Sequence, residues 1–215
     1  MNLLPKSALV RTSEVDHPDW NYRPLLRGVQ RLRFRIALNL LSGVSVTRLL
    51  EIGYGSGVFM PSLATHCTEL HGVDPHPHSD AVEKNLAQHG IPATLTQASV
   101  ESLPYPDGYF DAAVTISALE YVPDIDAACR EIRRILTPDG ILAVVTPGAT
   151  PLWDLALRLA TGESPSQYAD RRQRLQPTLR DHFDVVREVR LPRFGGRAAR
   201  LYTGLCLRPR HAGRS

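Results

Sequence analysis

Five short apolar runs recur along this chain, with helical or turn-forming segments between them. That alternation restricts the fold more than any single residue does. The runs are "TRLLEIG" (Thr47–Gly53), "ELHGVD" (Glu69–Asp74), "ATLTQA" (Ala93–Ala98), "YFDAAVTI" (Tyr109–Ile116) and "ILAVVTP" (Ile141–Pro147). After the first, Gly57 opens a helical segment through about His66, and "HSDAVEKNLAQHG" after the second reads as a helix stopped by Gly90. "PYPDGY" is a turn. "DIDAACREIRRIL" carries Ile125, Cys129, Ile132 and Leu136 on one face and charges on the other, and "TPDG" ends it. Strands alternating with helices predict parallel crossovers and an α/β doubly wound sheet. The fifth run is apolar throughout, as a strand covered on both faces must be.

The flanks extend this frame. "RPLLRGVQRLRFRIALNLLSG" predicts a long helix over Arg23–Gly43, its arginines set between apolar positions. Beyond the fifth strand, "TPLWDLALRLATG" and "SQYADRRQRLQPTLRDHF" read as helices, while "DVVREVRL" and "RLYTGLCLRP" alternate as a closing antiparallel pair. The expected architecture is a mostly parallel seven-stranded sheet with helices on both faces and an antiparallel C-terminal strand. We expect one domain over 1–215: a helical cap over 1–46, a ligand-binding core over 47–147, and closing helices and strands over 148–215 with a frayed tail at "RHAGRS".

Composition narrows the class. At 215 residues and 43% hydrophobic, the chain has the material for one good core. A net charge of +3 permits anionic partners without demanding them. Cys67, Cys129 and Cys206 form no CxxC pair, so the sequence suggests neither a disulfide framework nor a zinc site, and a reducing cytoplasm fits best. No run approaches the roughly 18 apolar residues of a membrane span, and the N-terminus has no signal-peptide core.

The loop after the first strand, "EIGYGSGVF", sits where open α/β sheets bind ligands, outside the carboxyl ends of the strands. It is not a dinucleotide fingerprint, since the sixth position counted from Gly53 is Val58. Nor is it a phosphate-cradling P-loop, since no Gly-Lys-Ser/Thr follows. What remains is Glu51 ahead of Gly53, Gly55 and Gly57, and a carboxylate suits a cation better than a phosphate. Asp74 ends the second strand, where a carboxylate can accept both hydroxyls of a ribose. The ligand so described carries a ribose and positive charge but no phosphate chain, as S-adenosylmethionine does.

"LLEIGYGSG", "GVDPHP", "ASVESLPYPDGYFDAAV", "ALEYVPD" and "REIRRILTPDGILAVVTP" follow, in order and spacing, the pattern of class I S-adenosylmethionine-dependent methyltransferases. The resemblance covers roughly Leu49–Pro147, and the branch it is most similar to is the small-molecule type of ubiquinone and menaquinone biosynthesis. It implies a Rossmann-like fold and S-adenosylmethionine as cofactor. It further implies that Glu51 faces the methionine ammonium, and that Gly53, Gly55 and Gly57, with Tyr54 among them, let the backbone pass under the cofactor. Asp74 would hold the ribose and Pro75 would pack on the adenine. Ser99, Val100 and Glu101 align with the family's adenine-cupping Asp-Ala-Glu. Ser99 replaces the usual aspartate, so weaker binding is expected there. Ser117 would lie near the transferring methyl.

Methyl transfer from a sulfonium is an in-line displacement, and aligning the two reactants is worth on the order of 7–11 kcal/mol. A general base is needed only where the nucleophile must lose a proton. Glu120 and Tyr121, the latter standing where the family often has histidine, are candidates for substrate contact or proton handling; bracing the loop is the competing role. His71, His76 and His78 invite a metal reading, but a surface loop over the cofactor is the better expectation, and no metal is expected. Trp20 and Tyr22 in "HPDWNYRP", and Trp153, would wall the site against an acceptor, which is then small and hydrophobic. Nucleic acid is the less favoured partner. Two other readings stay open: an RNA or protein methyltransferase docking through its basic helix or "RFGGRAAR", and a non-catalytic cofactor-binding protein.

Overall fold

A computed structural model describes residues 1–13, 16–24, 26–148, 169–192 and 201–210. The segments holding Trp153 and "RFGGRAAR", and the tail beyond Arg210, lie outside the described residues. The strands are β1 (Arg48–Ile52), β2 (Glu69–Asp74), β3 (Thr94–Gln97), β4 (Phe110–Ile116), β5 (Leu136–Pro147), β6 (Phe183–Leu191) and β7 (Tyr202–Pro209). The helices are α1 (Arg27–Leu41), α2 (Met60–Leu63), α3 (Ser79–Gln88), α4 (Ile125–Ile135) and α5 (Ala169–His182).

The strands form one seven-stranded sheet in the order β3-β2-β1-β4-β5-β7-β6. β1 to β5 pair in parallel, while β7 runs antiparallel to both β5 and β6. The sheet is therefore six parallel strands with one antiparallel C-terminal strand, as the patterning predicts. The sequence did not indicate that the last strand inserts between β5 and β6. Burial explains the placement. Seven of the eight β7 residues are buried, whereas β6 carries Asp184, Arg187, Glu188 and Arg190 and suits an edge, where charge discourages further pairing.

Side-chain alternation along the strands feeds two cores. Leu49, Ala112, Val114 and Ala143 pack with Phe34, Ala37 and Leu40 of α1 and with Val82 and Leu86 of α3. Leu50, Ala113, Leu142 and Val144 pack on the other face with Cys129 and Ile132 of α4 and Leu175 and Leu179 of α5. Asp124 caps α4, its carboxylate accepting from the Ala127 amide at 2.9 Å.

Two local expectations need correction. The helix expected over 57–66 is only α2, followed by a 3-10 turn over Ala64–His66. Thr65 Oγ1 (2.8 Å) and His66 Nδ1 (3.0 Å) both take the Ser62 carbonyl, which a longer helix would need for its own ladder. The fifth strand starts earlier than Ile141, since "TPDG" is accommodated inside β5 as an irregularity between the pairs Phe110–Leu136 and Ala112–Ile141.

Gly72 on β2 is where α2, β3 and the loop after β1 converge. A Cβ there would lie 2.5 Å from Met60 Cε, 2.7 Å from Leu95 Cδ2 and 2.8 Å from Tyr54 Cδ1. Gly72→Ala is expected to destabilise the fold by about 1–3 kcal/mol through overpacking. Thermal unfolding should register this as a drop of about 2–4 °C per kcal/mol for a chain of this size.

Candidate functional site

The carboxyl ends of β1, β2, β3 and β4 open into a single cavity of about 680 Å³, lined on its other side by Thr12, Ser13, Asp16, His17 and Trp20 and by α1. The N-terminal segment is held there by the Leu4 amide donating to the Val58 carbonyl (3.1 Å) and Asn85 Nδ2 donating to the Ala8 carbonyl (2.9 Å). Tyr22 does not line the cavity; its hydroxyl donates to the Leu4 carbonyl and braces the segment. Trp20 does line it, stacked on His17 with ring centroids 4.3 Å apart.

The loop after β1 passes under this cavity. Gly53 has φ +77°, and a Cβ on it would fall 2.4 Å from the Ala118 Cβ, so only glycine lets the β1 and β4 loops approach so closely. The Gly55 amide donates to Asp74 Oδ2 at 2.9 Å, and the Asp16 carboxylate lies 3.4 Å from where its Cβ would be. Gly57 does not line the cavity; its open side faces Val82 and Leu86 of α3.

The other residues the resemblance singles out, Glu51, Gly53, Tyr54, Gly55, Asp74, Pro75, Ser99, Val100, Glu101 and Ser117, are all brought to the cavity wall. Ser99 Oγ donates to Glu101 Oε2 at 2.8 Å, so that hydroxyl proton is already engaged. Ser117 takes φ +54°, rare for a non-glycine residue and typical of a backbone held by a site. Its amide donates to the Val145 carbonyl at 2.8 Å.

Glu51 is 4% exposed, and its Oε2 has no hydrogen-bond partner. Burial, with Asp74 adding repulsion, pushes its carboxyl up to about 8, against the smaller opposing pull of Arg33. The Tyr54 hydroxyl, Ser56 Oγ and Arg33 Nε are also buried without partners on the same cavity. Such groups are costly unless a ligand satisfies them.

Glu120 and Tyr121 separate clearly. Glu120 is 3% exposed and burial pushes it up to about 7, whereas Tyr121 is 37% exposed at the rim. Arg172 and Arg33 act on Glu120 in the opposite sense to burial. Tyr202, from the middle of the sheet, lines the same cavity, and burial raises its hydroxyl.

The loop after β2 lies over the cavity with Pro75, Pro77 and His78 exposed, as expected, but His76 is not a surface residue. Its side chain is buried, Nε2 donating to the Gly55 carbonyl at 3.0 Å while Nδ1 accepts from the His78 amide at 3.1 Å. That pair of bonds fixes the neutral Nε2–H tautomer, and the ring stands edge-on to Tyr54 at 4.9 Å. His71 is elsewhere, packed edge-on among Tyr105, Tyr109 and Phe110. Asp16, Gln30, Phe34 and Tyr202 also line the cavity, and no local signal in the sequence singles them out; the loop bearing His76 and the arginines of α1 were expected near a ligand, and His76 and Arg33 do line the cavity.

A doubly wound sheet of this order, with a glycine loop after β1 and a carboxylate closing β2, is a Rossmann-like fold with its cavity at the carboxyl ends of the strands. Residues 50–144 match the family described as "Methyltransferase domain". The match runs from β1 into β5, the stretch that carries the ordered motifs. It is 30% identical over 126 residues to a sterol 4-C-methyltransferase of Caenorhabditis elegans, covering 57% of this chain and 37% of that one. It is also 30% identical over 104 residues to a ubiquinone biosynthesis O-methyltransferase of Azorhizobium caulinodans, covering 48% and 41%. The chain thus spans less than half the length of these two relatives. Among solved structures, the N-methyltransferase NodS of Bradyrhizobium japonicum superposes with a TM-score of 0.65 at 20% identity, over 86% of this chain and 98% of that one.

Proposed function

We propose that the chain is an S-adenosylmethionine-dependent methyltransferase acting on a small-molecule acceptor. The observation that carries the reading is the buried, unpartnered Glu51 carboxylate beneath a glycine loop that is tied to Asp74. This is a pocket for a cation and a ribose, and it has no phosphate-binding lysine. Bound there, the cofactor supplies a methyl carbon already activated by a sulfonium. Glu51 would take the ammonium, Asp74 the ribose hydroxyls, and Pro75, Val100 and Glu101 the adenine.

Glu120 is the residue we assign to accept the acceptor's proton, with Tyr202 beside it. Tyr121 serves at the rim. His17, Trp20 and Phe34 offer an apolar wall to a hydrophobic acceptor. The names of the relatives, which include a sterol and a ubiquinone methyltransferase, support a small acceptor. The reading that relies on a basic docking helix is less well supported. Arg31 of α1 donates to the Asn21 carbonyl (3.2 Å) and lies over Tyr22, and Arg33 lines the cavity. Among the described residues no helix is long and apolar enough to cross a membrane; we assign the cytoplasm as the working compartment. We take 1–46 as the cover, 47–147 as the cofactor core and 148–215 as the acceptor-side closure of one domain.

Calorimetry with S-adenosylhomocysteine tests the reading. Asp74→Ala is expected to weaken binding about 10- to 100-fold, the worth of hydrogen bonds to a charged group. Absence of binding to the wild-type chain, or unchanged binding in the variant, would sink it.

A further inference from the structure

The cofactor contacts and the proton transfer leave His76 unused, yet it is 7% exposed while Pro75, Pro77 and His78 beside it are exposed. Burying an imidazole is costly unless its nitrogens are paired. Here both are. Nδ1 accepts from the His78 amide at 3.1 Å, a bond within its own loop, and Nε2 donates to the Gly55 carbonyl at 3.0 Å, a bond across 21 residues. Asp74 Oδ1 lies 3.8 Å from Nε2, too far to take that proton, so the Gly55 carbonyl is its partner. An amide N–H only donates and a carbonyl only accepts, so the two bonds together require the neutral Nε2–H form.

The long-range bond lands on the glycine that is tied to Asp74. The Gly55 amide donates to Asp74 Oδ2 at 2.9 Å, so Asp74 and His76 hold the same residue from its two ends. One bond fixes φ and the other fixes ψ. Gly55 has φ +51°, a conformation that an unrestrained glycine leaves readily. The His76 amide returns to Asp74 Oδ1 at 3.3 Å, which closes a ring of three residues. Each carboxylate oxygen thus meets one backbone amide and keeps a lone pair for a ligand. The Tyr54 ring, edge-on at 4.9 Å, packs beside the imidazole.

We infer that His76 is a positioning residue for the ribose: its Nε2–H bond to the Gly55 carbonyl holds the glycine loop against Asp74, so that both carboxylate oxygens are aimed before the ligand arrives. The inference rests on the methyltransferase reading, in which Asp74 takes the ribose hydroxyls. Without the bond Gly55 rotates about ψ, its amide drifts from Oδ2, and the carboxylate has to be ordered during binding. A residue that only filled space there would need the volume of the ring but not the donor at Nε2.

Two amide side chains separate the roles of the two nitrogens. In His76→Gln the amide NH₂ reaches the place of Nε2 and keeps the donor to Gly55, whereas in His76→Asn the amide oxygen stands near Nδ1 and keeps only the bond to the His78 amide. Titrated calorimetrically, S-adenosylhomocysteine is expected to bind His76→Gln within about twofold of wild type and His76→Asn about 3- to 10-fold more weakly. His76→Met, which has no donor, should repeat the asparagine loss and takes its place if the asparagine variant does not fold; thermal melts check each variant. In an Asp74→Ala background His76→Asn should weaken binding little further, because its route to the ligand is gone. Equal losses in the glutamine and asparagine variants would leave His76 a packing residue and overturn the inference, and so would unchanged affinity in both. A full asparagine loss that persists in the Asp74→Ala background would overturn it too, by showing that His76 meets the ligand itself. If the wild-type chain binds no S-adenosylhomocysteine, the methyltransferase reading itself fails, so the two failures are distinguishable.

Discussion

Replacing Glu120 by glutamine is expected to lower kcat by about 100- to 10,000-fold, the usual contribution of a positioned proton acceptor. Affinity for S-adenosylhomocysteine should stay within about twofold, since Glu120 lies on the β4 side of the cavity and the amide keeps the same shape. The pH dependence has a definite sign. Burial pushes Glu120 up to about 7, and only its ionised form can accept a proton. Turnover by the wild type should therefore climb as pH rises through about 7 and level off above it. In Glu120→Gln that rising limb should vanish. A variant that keeps both its rate and its limb would show that the acceptor loses its proton elsewhere, or has none to lose. Tyr121→Phe, at the exposed rim, is the natural control, and its effect should be smaller.

The second large effect concerns protons on binding. Glu51 is buried, repelled by Asp74 and pushed up to about 8, so near neutral pH it is mostly protonated before ligand arrives. An ammonium seated on it favours the carboxylate and drives the proton off. Binding at pH 7 should then release close to one proton, measurable by calorimetry in buffers of different ionisation enthalpy. Affinity should rise with pH from about 6 to about 7, by up to about tenfold per pH unit. Glu51→Gln should abolish the proton release and weaken S-adenosylhomocysteine about 10- to 100-fold. Glu120 titrates nearby, so release that persists in Glu51→Gln would assign the proton to Glu120 instead.

These two carboxylates differ in how they could be read. Glu51 was visible because it stands two positions before a glycine run at the end of an apolar strand, a local pattern. Glu120 and Tyr121 were indistinguishable as neighbours on one loop. The short 3-10 turn over Leu119–Tyr121 buries one and exposes the other. His76 read as a loop residue because nothing nearby in sequence announces that its ring will fold back onto the Gly55 carbonyl.

The periodicities alone determined the parallel β1 to β5 frame and the two-sided helix packing, since side chains must alternate between two covered faces. They also set the ligand loop, because glycines with positive φ at the end of β1 leave the backbone little else to do. Tertiary structure decided the rest. The order β3-β2-β1-β4-β5-β7-β6 brings Asp16, Arg33, Glu51, Glu120 and Tyr202 around one cavity from positions far apart in the chain. Charge and burial at that meeting point arise from the neighbours each group acquires on folding. No spacing along the sequence encodes that Arg33 of α1 and Glu51 of β1 will line one cavity.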